Sequence, residues 1–199
     1  LCVIPYILSI QGDLLKNIGV PLEILFIAQF VQCLIMFSVT IFFGLILTKK
    51  IGFSLPLIEA KKGNRGKVLK DILGKSALLG VAVAAAIYLI DMLFSKLGVT
   101  INTHQNIAPA WQKLLAAVYG GTTEEVLMRL FLMTLLIWIG MKIFRQDKPS
   151  KIGIIIPIIL AAIIFGLGHL PITASLTQID ALVITRAIVL NGIGGVVFG

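Results

Sequence analysis

Long apolar runs separated by short polar stretches form the main pattern along this chain of 199 residues. A helix needs roughly 20 apolar residues to cross the hydrocarbon core of a bilayer. The pattern therefore predicts an all-α, polytopic transmembrane helical bundle of about five to six membrane-embedded helices. The apolar runs cover residues 22–48, 76–94, 111–144, 152–169 and 181–199, and an apolar fragment precedes residue 22.

Two segments are expected to depart from regular spans. Residues 53–75 are basic and contain Pro56, Gly63 and Gly66, which predicts a loop that could include a short interfacial helix. The run 181–199 is expected to begin a span that its glycines interrupt. Because the chain starts without methionine and stops inside this apolar run, we expect a fragment.

Composition excludes a soluble domain, since 58% of the residues are hydrophobic, 13% are charged and the mean hydropathy is +1.05. Soluble domains have about 45–50% apolar and about 25% charged residues. The net charge of +8 arises largely from eight Lys and Arg residues within 49–75. Basic residues concentrated between spans are retained on the cytoplasmic side, so they indicate topology and not nucleic-acid binding.

The topology follows from the loops. The segments 49–75 and 142–151 are basic and are predicted to be cytoplasmic, whereas 97–110 and 171–180 contain no Lys or Arg. The chain is thus expected to be a multi-pass integral membrane protein, in the cell membrane if it is bacterial. We divide it into an N-terminal transmembrane region, 1–110, and a core, 111–199.

One predicted span contains three ionisable residues in the sequence "GTTEEVLMRLFLM": Glu124, Glu125 and Arg129. Three ionised groups near the centre of a span cost on the order of 8 kcal/mol, more than the roughly 6 kcal/mol that its apolar residues supply. Glu125 and Arg129 are spaced to form a salt bridge on one helix face. Glu124 then remains for general acid–base chemistry, unless the acids serve only to pin helices together or to relay protons.

A second candidate lies in the sequence "FGLGHLP", where Phe165 and His169 share one face at the end of the span 152–169. The helix dipole favours a histidine at this C-terminus. Taken alone, His169 could equally be an interfacial anchor. His104 lies in a polar turn and is expected at the surface.

The two segments together, "EEVLMR" followed by "FGLGH", resemble the EExxxR and FxxxH motifs of the CPBP intramembrane proteases. This family includes the CAAX prenyl endopeptidases and bacterial proteins linked to bacteriocin processing and immunity. The resemblance covers residues 111–199. It implies a peptide or protein substrate, reached from the lipid bilayer, and no obligatory metal.

The resemblance also implies a role for each matching residue. Glu124 would be the general base that activates water, and His169 would bind that water or polarise the carbonyl. Glu125 and Arg129 would hold the geometry and charge of the site, and Phe165 would pack against it. Glu124 and His169 are accordingly expected to converge on one cavity.

The sequence departs from the family in one respect. A further family motif, a histidine followed four residues later by an asparagine, is missing, and we expect the chain to stop just before it. A metal site at Glu124, Glu125 and His169 is a weaker hypothesis, because zinc proteases usually place two histidines one helical turn apart. The buried carboxylates are also compatible with a non-catalytic scaffold or immunity-type protein and with a proton-coupled transporter.

Overall fold

The structure, a computed structural model, describes residues 20–99, 108–174 and 176–199, and every regular element in these ranges is a helix. This confirms the predicted all-α fold. Among the described residues, four segments are long and apolar enough to cross a membrane: Glu23–Lys50, Arg65–Lys96, Ala110–Ile143 and Lys151–Ala174. In chain order the helices are α1 (Leu22–Lys50), α2 (Pro56–Glu59), α3 (Arg65–Lys96), α4 (Ala110–Ile143), α5 (Lys151–Gly168), α6 (Leu170–Ala174) and α7 (Ala181–Val197).

The prediction of a loop through residue 75 is wrong beyond residue 64, because α3 begins at Arg65 and continues into the span. Gly66 and Gly74 are accommodated inside this helix. Lys75 and Asp71 form an i,i+4 ion pair of 2.8 Å on its exposed face, an arrangement that supports helix. The basic residues between Arg65 and Lys75 therefore belong to the same helix as the apolar span that follows them.

The prediction that glycines interrupt the last run is also wrong, since α7 continues without a break from Ala181 to Val197. Asp180 caps its N-terminus by accepting a hydrogen bond of 2.8 Å from the Val183 N–H. At 17 residues, α7 is shorter than the four long segments. One of its glycines, Gly195, allows close packing against a neighbouring helix instead.

That neighbour is α5. A Cβ atom on Gly166 would lie 2.6 Å from Ile188 Cα, and one on Gly195 would lie 2.7 Å from Ala162 Cβ. Only residues without a side chain fit at these two positions. Small residues that let helix backbones approach are typical of membrane helix interfaces, where dispersion contacts replace the hydrophobic driving force.

The described residues divide into two compact units. One unit contains residues 20–46 and 108–132, and the other contains 47–99, 133–174 and 176–199. Within the first unit, α1 approaches α4 so closely that a Cβ on Gly44 would lie 2.7 Å from the Leu130 carbonyl oxygen. The division at residue 110 drawn from the sequence stays a prediction.

Candidate active site

The acidic segment lies at a change of helix type inside α4. The chain is α-helical over Ala110–Glu124, becomes a π-helix over Glu125–Met133 and returns to α-helix over Thr134–Ile143. The change falls between the two adjacent glutamates. A π-helix with i→i+5 hydrogen bonds is rare, and π segments inside α-helices occur often at functional sites.

Glu125 and Arg129 form the predicted ion pair, with Glu125 Oε1 3.1 Å from Arg129 Nη1. The Arg129 side chain is 14% exposed, whereas that of Glu125 is 56% exposed. The arginine is therefore enclosed by protein while its carboxylate partner lies near the surface. The pair keeps the charge of Arg129 balanced within a single helix.

Glu124 extends in the other direction along the helix. A Cβ on Gly120, one turn earlier, would lie 3.6 Å from Glu124 Oε1. That is an ordinary van der Waals distance, so the Glu124 carboxylate, which is half-buried, lies beside Gly120. The two neighbouring glutamates thus carry their carboxylates apart, that of Glu124 back over Gly120 and that of Glu125 forward to Arg129.

A hydroxyl beside Glu124 adds a polar atom to this region. Thr123 Oγ1 is buried and has no hydrogen-bond partner among the residues that the structure describes. Most buried polar atoms in proteins are paired with protein or water. This hydroxyl lies two residues before the π segment, which begins at Glu125.

His169 terminates α5, as predicted, and its ring is fixed by its own helix. His169 Nδ1 lies 2.8 Å from the Phe165 carbonyl oxygen. Because a carbonyl only accepts hydrogen bonds, Nδ1 carries the proton and donates it. In the neutral ring the lone pair is then on Nε2, the outer nitrogen.

Phe165 packs against the histidine ring, again as the spacing predicted. The two ring centroids are 4.6 Å apart with an interplanar angle of 81°, an edge-to-face contact. Thr173 Oγ1 donates a hydrogen bond of 2.8 Å to the His169 carbonyl oxygen and ties α6 to the end of α5. The ring and the backbone carbonyl of His169 are therefore each held by a hydrogen bond.

The candidate residues belong to different compact units, the glutamates and Arg129 to the first and Phe165 and His169 to the second. Each group is ordered within its own unit. The convergence of Glu124 and His169 on one cavity stays a prediction. His104 lies outside the described residues.

Sequence reasoning missed a second acid–arginine pair. Asp91 on α3 and Arg186 on α7 form an ion pair in which Arg186 Nε donates to Asp91 Oδ1 over 2.7 Å. Both residues lie in apolar helices, and that position could have singled them out, since ionisable residues in spans are rare and usually pair with one another. Their partnership across the sequence had no local signal.

The carboxy-terminal part of the chain matches a known family. Residues 106–199 match the model of the family described as "Type II CAAX prenyl endopeptidase Rce1-like". Glu124, Glu125, Arg129, Phe165 and His169 all fall inside the match. No curated protein and no solved structure matches the chain.

Proposed function

We propose that the protein is an intramembrane endopeptidase, because residues 106–199 match the model of a protease family, the Rce1-like type II CAAX prenyl endopeptidases. It hydrolyses a peptide bond with a water molecule that Glu124 activates. The observation that carries this assignment is the separation of the two carboxylates along α4. Glu125 pairs with Arg129 at 3.1 Å, and we assign the proton transfer to Glu124, the first glutamate of the EExxxR pattern.

Glu124 is suited to this role by its surroundings. It is half-buried, and the preceding residue, Thr123, contributes a buried hydroxyl. It is also the last α-helical residue before the π segment. A general base must lie within hydrogen-bond reach of the proton that it removes, so the proposal requires a water molecule to bind against the Glu124 carboxylate.

His169 has the chemistry to orient the same water. With Nδ1–H donating to Phe165, the neutral ring can only accept a hydrogen bond at Nε2. Accepting from water fits this tautomer, whereas polarising a carbonyl oxygen would require the doubly protonated ring. We therefore assign His169 to the water and not to the carbonyl.

The reaction then proceeds in two proton transfers. Glu124 takes a proton from the water as the oxygen attacks the peptide carbonyl carbon, which forms a tetrahedral intermediate. The protonated Glu124 next gives that proton to the leaving amine nitrogen as the carbon–nitrogen bond breaks. The products are a carboxylic acid and an amine, and the carboxylate of Glu124 is regenerated.

The substrate proposal follows from the family and the fold. The family description makes a peptide that ends in a prenylated CAAX sequence the first substrate to assay, beside the same peptide without the prenyl group. The apolar helices support cleavage at the bilayer by a multi-pass protein, with residues 49–75 and 142–151 on the cytoplasmic side. No metal is required in this mechanism.

Cleavage by two matched variants tests the proposal in the full-length protein in nanodiscs. Glu124→Gln keeps the shape of the side chain but removes the base, so it should lower the rate of peptide cleavage about 10²–10⁴-fold. Glu125→Gln, one residue away, should lower the rate per folded molecule far less. Glu23→Gln, an acid in the first turn of α1, is the neutral control.

The outcomes separate the competing functions. Full activity of Glu124→Gln would contradict the proposal, and an inert but folded Glu125→Gln with an active Glu124→Gln would reverse the two roles. Loss of activity in a metal chelator, restored by zinc, would favour the metal site at Glu124, Glu125 and His169. Proton uptake without any peptide cleavage would favour a transporter.

A further inference from the structure

A groove outside the candidate active site opens between the last part of α4 and the first half of α5. Its cavity volume is about 420 Å³, within the range of about 300–1,000 Å³ that ligand pockets in proteins have. Its walls are almost entirely aliphatic, and several of the lining side chains are more than half exposed. Lining residues include Leu136, Ile139, Ile143, Ile152, Ile156 and Leu160.

The turn from α4 to α5, at one end of this groove, is strongly basic, while the residues that line the groove itself are uncharged. Four cationic residues, Lys142, Arg145, Lys148 and Lys151, surround the turn from α4 to α5, against the single acid Asp147. Gln146, Pro149 and Ser150 of the same turn line the groove, so the basic turn forms its mouth. Among the described residues, Arg145, Lys148 and Lys151 take part in no ion pair.

An aromatic residue marks the depth of this mouth in the bilayer. Lys142 Nζ lies 5.9 Å and Lys50 Nζ lies 5.5 Å from the centroid of the Trp138 ring. Trp is enriched at the level of the lipid headgroups, and lysines gather at the same level on the cytoplasmic side. The mouth of the groove therefore lies where phosphate groups would lie, and its aliphatic walls lie where acyl chains would lie.

The backbone at Arg145 adds an independent observation. Arg145 has a φ of +51°, and Gln146 N donates a hydrogen bond of 2.9 Å to the Met141 carbonyl oxygen, which closes the C-terminus of α4. This left-handed position after a helix is usually occupied by glycine. An arginine at this position costs conformational energy that a glycine would not. It places a guanidinium group in the turn that forms the mouth.

We propose that this groove binds one anionic phospholipid, with an acyl chain between α4 and α5 and the phosphate at Arg145, Lys148 and Lys151. The charge of the mouth selects the occupant: a second copy of the chain would bring a second basic turn and be repelled. A zwitterionic lipid would leave the cations unbalanced. Basic pockets between helices on the cytoplasmic side are known to suit anionic headgroups.

Fluorescence quenching by brominated lipids tests the site with Trp138 as a local reporter. The chain contains two tryptophans, so the Trp111→Phe protein reports from Trp138 alone. In phosphatidylcholine vesicles, brominated phosphatidylglycerol should quench this fluorescence at lower mole fraction than brominated phosphatidylcholine. Equal quenching by the two lipids would overturn the proposal.

Two variants in the same background locate the lipid. Arg145→Gly removes the charge and suits the left-handed backbone, so the melting temperature should hold while the preference for phosphatidylglycerol falls about fivefold. Gly140→Leu places a side chain into the groove, where a Cβ at Gly140 meets no atom within 4 Å. It should abolish the preferential quenching.

The controls are Lys67→Gln, which removes a cation from α3, and Gly80→Leu, which fills an equally open helix position away from the groove. Both should leave the preference unchanged. An unaltered preference in Arg145→Gly would overturn the proposal. A loss in Arg145→Gly without a loss in Gly140→Leu would indicate general attraction to a basic loop, which also overturns it.

Discussion

Two acid–arginine pairs lie in the apolar helices of this protein, and they solve the same electrostatic problem in different ways. Asp91 and Arg186 come from α3 and α7 and meet at 2.7 Å. Glu125 and Arg129 lie one turn apart on α4 and meet at 3.1 Å. The first pair neutralises its charges by joining two helices, and the second neutralises its charges within one.

The two arrangements stabilise different parts of the structure. An ion pair between helices resists their separation, because parting them would leave two ionised groups without partners in an apolar environment. A pair within a helix holds no other element. Its effect is local, because it balances the charge of Arg129 within the π segment.

The largest effect on stability is expected from Arg186→Gln, which leaves the Asp91 carboxylate without its cation. The side chains of Arg186 and Asp91 are 21% and 39% exposed, so the loss should be about 2 kcal/mol, below the 3–5 kcal/mol of a fully enclosed pair. Unfolding of the purified protein in mixed micelles by denaturing detergent would measure it.

A charge exchange is the control for this variant. The protein with both Asp91→Arg and Arg186→Asp should recover much of the lost stability, because the pair is restored with its signs reversed. A stability of Arg186→Gln equal to that of the parent would show that the pair does not hold α3 and α7 together.

A smaller effect is expected from Glu125→Gln. The Glu125 carboxylate is 56% exposed and its partner is on the same helix, so the free energy of unfolding should fall by about 0.5–1 kcal/mol. Asp71→Asn breaks a pair in which both side chains are more than half exposed, and it should change stability by no more than about 0.5 kcal/mol. The same unfolding assay ranks all three. A loss in Glu125→Gln as large as that in Arg186→Gln would remove the distinction between the pairs.

These pairs also show which contacts can be predicted from the sequence and which cannot. The ion pair of Glu125 with Arg129 and the contact of Phe165 with His169 were predicted because residues four apart share a helix face, whatever the rest of the fold does. The pairing of Asp91 with Arg186 was missed because it depends on which helices pack together. Local spacing holds no information on that choice.

Some features of the helices could likewise be predicted from the sequence, and others could not. The apolar runs predicted the four long helical segments, because their lengths match a bilayer. The start of α3 at Arg65 and the unbroken α7 were wrongly predicted, since glycine was taken as a breaker, whereas Gly66 and Gly74 lie inside α3 and Gly195 lies where α7 packs against α5. The π segment at Glu125–Met133 has no residue signature that would reveal it.

A double-mutant cycle of Glu124→Gln and His169→Gln tests the central claim most directly, namely that the two residues act on one water molecule. Groups that act as a unit in catalysis have strongly non-additive effects on rate. With peptide cleavage measured per folded molecule, the double variant should be no slower than the slower single variant. Rate losses that multiply, or a double variant that cleaves at the parent rate, would contradict the account.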